Sequence, residues 1–179
     1  MKTHYLRNDF RIDSLRLVMI GLENSISKLN EKCEEISWYK ETFWDEEIEP
    51  IYGLAFIALQ NYVNGSIYDL YKTLTDKEKK YKIEKIINQS GRTNIELIIG
   101  LANYFKHRDD QRDLRSGTSN ILSDFDIKYA DSIDVLNSPI FKGLDILSVD
   151  WRLSELIEIV QIWRESLWKK EENTMSSNT

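Results

Sequence analysis

Three stretches of this chain space their apolar residues alternately four and three apart, the period of one face of an α-helix. In the first, Leu15, Met19, Leu22, Ile26, Leu29, Cys33 and Ile36 fall on one stripe, which predicts a helix from about Asp13 to Tyr39. At 1.5 Å per residue that helix is about 40 Å long, the height of a bundle. Tyr52, Phe56, Leu59, Val63, Ile67, Leu70 and Leu74 repeat the pattern, widened by Ile51, Ala55, Ala58 and Tyr62. Leu153, Leu156, Val160, Trp163 and Leu167 form the third stripe. Gly 7 and Pro 2 are few for a chain rich in strands and tight turns. The expected fold is an all-α multi-helix bundle, a single domain over 1–170 with a frayed or disordered tail over 171–179.

Between the stripes, punctuation residues predict the remaining elements. Thr93 and Glu96 have capping-box spacing and open a central helix. Its apolar residues, Ile95, Leu97, Ile98, Ile99, Leu101, Ala102, Tyr104 and Phe105, lie nearly all round it, which places it at the centre of the bundle. Lys106, His107 and Arg108 follow at its C-terminal end, where the helix dipole favours cations. Pro50 suits the first turn of the second helix, where a missing N–H costs nothing. Gly65 inside that helix marks a close approach or a kink. Thr75 and Glu78 repeat the capping-box spacing and predict a short helix with Tyr81, Ile83, Ile86 and Ile87 as its apolar side and Gly91 as its stop. Residues 109–137 read as an irregular, exposed excursion. Ser138 and Pro139 then start a helical turn through Leu147, and Asp150 is the expected cap of the final helix.

The net charge of -6 opposes nonspecific attraction to nucleic acid and favours a basic partner. Between Glu31 and Glu49 there are eight acids, at 31, 34, 35, 41, 45, 46, 47 and 49, against Lys32 and Lys40, a balance equal to that of the whole chain. Trp38, Tyr39, Phe43 and Trp44 are interleaved with them. One reading is a solvated helix end with inward aromatics; the other is an anionic docking surface with aromatic anchors. The candidate partner-binding residues are Glu41, Trp44, Asp45, Glu46 and Glu47, with Asp109, Asp110 and Asp113 as a second acidic cluster. No cofactor or metal is expected. Cys33, His4 and His107 are too few for a zinc cage, and Asp124 and Asp126 lack the glycine and final glutamate of a calcium loop. Cys33 is read as a small core residue. No apolar run is long enough to span a bilayer and the first ten residues hold no apolar signal segment, so a cytoplasmic protein is expected.

The run Ala102-Asn103-Tyr104-Phe105-Lys106-His107 resembles the motif of the HEPN superfamily, helical-bundle proteins common in bacterial toxin–antitoxin and phage-defence systems. Its active ribonucleases carry arginine, a polar residue, three variable residues and histidine. Here Asn103 and His107 match, while Ala102 stands at the arginine. Cleavage of RNA through the neighbouring 2'-hydroxyl needs a group to manage the proton and a cation for the developing charge. Ala102 supplies neither, so the resemblance implies a non-catalytic member. In size and charge the chain is also similar to the immunity proteins of contact-dependent growth inhibition. Together these imply an immunity or antitoxin protein that docks on and occludes a basic, nuclease-type toxin. The alternatives are a metal-independent ribonuclease using His107 and Asn103 with Arg108 or Arg112, and a structural homodimer.

Overall fold

A computed structural model describes residues 5–36, 38–39, 43–83, 85–110, 113–129 and 137–177. Among these there are seven α-helices and no strand. They are α1 (Ile12–Glu35), α2 (Trp44–Tyr71), α3 (Lys77–Tyr81), α4 (Asn94–His107), α5 (Ser116–Asp124), α6 (Pro139–Leu147) and α7 (Leu153–Ser177), preceded by a 3-10 turn at Tyr5–Arg7. None is long and apolar enough to cross a membrane.

The central helix forms as its pattern demands. Thr93 Oγ1 accepts from the Glu96 N–H at 3.3 Å and the Glu96 carboxylate accepts from the Thr93 N–H at 3.2 Å, closing the capping box. Every residue from Ile95 to Ala102 is buried. Around α4 pack α2, α5, α6, α3 and α7, and α1 lies against α2 and α7. Tyr52, Phe56, Leu59, Val63 and Ile67 of α2 and Leu153, Leu156, Val160, Trp163 and Leu167 of α7 complete one continuous core. Gly65 proves to be a close approach. A Cβ there would lie 2.9 Å from the Arg11 guanidinium carbon, and the glycine leaves that side chain room to reach Asp69 with two bonds of 2.7 and 2.9 Å.

Several boundaries differ from those predicted, each for a tertiary reason. Helix α1 ends at Glu35 rather than near Tyr39, because the chain turns to bury Tyr39, whose hydroxyl donates to Glu47 while Lys32 covers its ring. Only Leu15 and Met19 of the first stripe are fully buried, and Cys33 is half-buried outside the core. Helix α2 begins at Trp44, so Pro50 lies inside it and not in its first turn. Asp45, Glu46 and Glu47 occupy that first turn, where carboxylates stabilise the positive helix end, and buried Ile48 anchors it.

The Thr75–Glu78 capping box does not form. Thr75 pairs with Thr73, Asp76 takes a left-handed conformation (φ 55°), and α3 ends at Tyr81. Ile86 bridges Thr93 in antiparallel fashion, with Gly91 at φ 79° in the loop between them. The 109–137 excursion contains a helix, α5, held by buried Leu122 and Ile127. Ser138 caps α6 as expected. Asp150 does not cap α7. Trp151 instead turns left-handed (φ 55°) so that its ring stacks on Phe141 at 5.1 Å, and the helix starts at Leu153. The expected tail is helical through Ser177, tied by Tyr71 to Glu171 at 3.1 Å and by Arg7 to Glu172 at 3.0 Å. Asn178 and Thr179 lie outside the described residues.

Candidate functional site

One face of α4 carries Glu96, Ile99, Asn103 and His107, spaced three and four apart, and forms the floor of a cleft of about 540 Å³. Lys77, Glu78, Tyr81 and Lys82 of α3 and its exit make one wall, and Arg115 to Thr118, Asn120 and Ile121 at the start of α5 make the other, with Leu114 between. The α5 wall stands close because residue 100 is glycine: a Cβ there would lie 2.7 Å from an Ile121 methyl carbon.

Most polar groups in and directly behind the cleft are paired. Glu96, buried, is held by Arg92 at 2.6 Å and lies 3.8 Å from Lys82, and Arg92 also binds Asp124 at 2.7 Å. Asn103 Oδ1 accepts from Gln60 Nε2 at 2.9 Å, and Gln60 Oε1 accepts from Lys106 Nζ at 2.5 Å. Lys106 has its ammonium pushed below the usual lysine range, by burial first and by the charge of Lys77 second. His107 is half-exposed with Nδ1 3.0 Å from Asp110 Oδ2. Lys77 and Arg115 of the lining have no ion-pair partner among the described residues, so the cleft can hold an anion by charge.

Of the sequence-predicted residues, Asn103 and His107 come together on this floor. Arg108 does not join them. It is the C-cap of α4 and turns to Glu49, a buried carboxylate of α2 that also accepts from Ser138 Oγ at 2.5 Å. The Arg108 guanidinium lies over the Phe105 ring at 4.6 Å. Arg112 and Glu41 are outside the described residues. Among the acids, Asp109 is exposed at the rim of Arg108, Asp110 faces His107 and Asp113 is exposed. Glu46 is exposed, Asp45 half-buried, and Glu47 is engaged with Tyr39 and Lys32. Trp44 turns inward, packing on the core with its Nε1 donating to Asn30 Oδ1 at 2.9 Å.

Sequence reading did not place Lys77 and Arg115 in the cleft, and of the four aromatics it named Trp44 as the anchor, whereas Trp38 and Phe43 are the exposed ones. The run Arg115-Ser116-Gly117-Thr118, a cation followed by small helix-start residues, is the one local signal that could have pointed to Arg115. Among the described residues no three potential metal ligands cluster. Fold and cleft together define an all-helical bundle with a cation-lined groove beside its central helix. No family model, no curated protein and no solved structure matches the chain.

Proposed function

We propose that this chain is a non-catalytic, HEPN-like immunity or antitoxin protein that binds and occludes a basic protein toxin in the cytoplasm. The observation that supports this reading is the junction of α1 and α2. There Trp38 and Phe43 are 59% and 43% exposed, their rings in edge contact at 6.1 Å, within a segment that also exposes Glu31, Glu34, Glu35 and Glu46. Large, partly exposed aromatic rings among carboxylates have the composition of a binding hot spot inside a charged rim. The acids would steer a basic surface into contact and stand in for the phosphates of its substrate, and the rings would hold it. The anchor is thus moved from Trp44, which faces inward, to Trp38 and Phe43.

The test is association and dissociation kinetics, at two ionic strengths, against the polypeptide encoded immediately upstream. Reversing Glu34 and Glu46 to lysine should slow association and flatten its salt dependence. Trp38→Ala should speed dissociation, by about 30-fold for a loss of about 2 kcal/mol. Unaltered kinetics in both variants, or no binding by the wild type, would remove the reading.

A metal-independent ribonuclease is the second reading, and one observation favours it: Asn103 and His107 share their cleft with Arg115, a cation the Ala102 position lacks. RNA turnover that disappears in a folded His107→Ala variant would put it first.

A further inference from the structure

The cleft beside α4 has more positive charge than its own carboxylates neutralise. Lys82, Arg92 and Glu96 compensate one another with Asp124. Lys77 and Arg115 have no carboxylate within ion-pair distance among the described residues, and Glu78 is the one acid of the lining left to offset them. Lys106, bonded to Gln60 behind the cleft, has its ammonium pushed down by burial first and by the charge of Lys77 second. Lys77 and Arg115, which line the cleft without a carboxylate partner, are favourable neighbours for an anion.

Neutral donors accompany these cations. Asn103 uses its Oδ1 on Gln60, which leaves Nδ2 as a donor on the floor of the cleft. At the opening of α5 the Thr118 and Ser119 N–H groups bond to the Arg115 carbonyl, whereas Gly117 N–H donates to no other group among the described residues. The space where a Gly117 Cβ would sit is open. The apolar part of the lining is Ile99, Leu114, Ile121 and the ring of Tyr81. Charge and donors on some walls and hydrocarbon on others, in a volume of about 540 Å³, match the size and make-up of a small-molecule site.

We propose that this cleft binds a small phosphate monoester with an apolar or aromatic body. Its phosphate is held by Arg115, Lys77 and the α5 opening, and its body rests on Ile99, Leu114 and Ile121. The chain's net charge of -6 opposes a long polyanion while barely affecting a ligand of one phosphate, which favours a small ester over nucleic acid. None of these residues belongs to the acidic junction of α1 and α2, so this site and the proposed docking surface stand or fall separately.

The experiment is a titration of the full chain, followed by backbone amide shifts, with phenyl phosphate, inorganic phosphate, phenol and a short single-stranded RNA as probes. Phenyl phosphate should saturate one site about tenfold more tightly than inorganic phosphate or phenol, since only it uses both surfaces. The shifts should centre on Asn103, His107, Gly117 and Thr118. Arg115→Ala and Lys77→Ala, at exposed or half-exposed positions and checked by thermal unfolding, should each weaken it about fivefold or more. Arg152→Ala, a surface arginine paired with Glu155, should leave binding unchanged. Phenyl phosphate binding no better than phenol, shifts centred elsewhere, or equal loss in Arg152→Ala would overturn the proposal. So would RNA that binds more tightly than phenyl phosphate through Arg115, which would make the cleft a nucleic-acid site instead.

Discussion

The pair of Glu49 and Arg108 joins α2 to α4 and, through Ser138, to α6, and it keeps Arg108 out of the cleft that holds Asn103 and His107. Its energy can be worked from exposure. The Glu49 side chain is 8% exposed and the Arg108 side chain 23%. Removing one partner of a fully buried pair costs about 3–5 kcal/mol, since the other charge is left without compensation. Arg108→Ala leaves buried Glu49 with Ser138 alone, so it should fall in that range. Glu49→Ala should cost less, about 2–3 kcal/mol, because Arg108 can still reach water and keeps its stack on Phe105. The double variant should recover about 1.5–3 kcal/mol of the sum, the coupling expected of residues in direct contact. Urea unfolding of wild type, both single variants and the double variant, with equal m-values, measures this cycle. Losses that add to within about 0.5 kcal/mol would show that the two groups do not act as a pair, and the account of why Arg108 is absent from the cleft would be wrong.

Leu59 is wholly buried in α2 and Leu22 of α1 only partly, so Leu59→Ala should cost about 2–5 kcal/mol in the same assay and Leu22→Ala clearly less; equal losses would contradict the assigned burial. Trp44→Ala should lower stability while Trp38→Ala leaves it nearly unchanged, because only the first ring packs on the core; thermal unfolding midpoints check the contrast. Hydrogen bonding from Arg7 holds the Glu165 carboxyl below its ordinary 4.5. A lowered folded-state value means stabilisation that is present above the ordinary value and lost as pH falls through the folded one. Acid unfolding should therefore be shallower below about pH 4.5 in Glu165→Gln than in wild type, and identical slopes would show that the clasp carries no linkage.

The helical class, the burial of α4 and its Thr93 cap were legible in the sequence, because periodicity and capping are relations among residues at most four apart. Local sequence also predicted the Ser138 start of α6. It failed where a distant group decided the outcome. Tyr39 turns inward toward Glu47 and ends α1 early. Trp151 adopts a left-handed backbone to stack on Phe141, which displaces the expected Asp150 cap. The final helix persists past Glu171 because Tyr71 and Arg7 hold it from other elements. The candidate site divides in the same way. Asn103 and His107, four apart on one helix, share a face by helical geometry alone. Arg108 is one residue further round that helix, and only the presence of buried Glu49 on α2 settles where its charge goes. Lys77 and Arg115 are separated along the chain, and it is the packing of α3 and α5 on either side of α4, with Gly100 admitting Ile121, that places both on one cleft. Helical period is a local property and determines which elements exist. Which side chains share a cleft, and which charges are already compensated, depends on contacts between residues far apart in the chain, which only the packed structure decides.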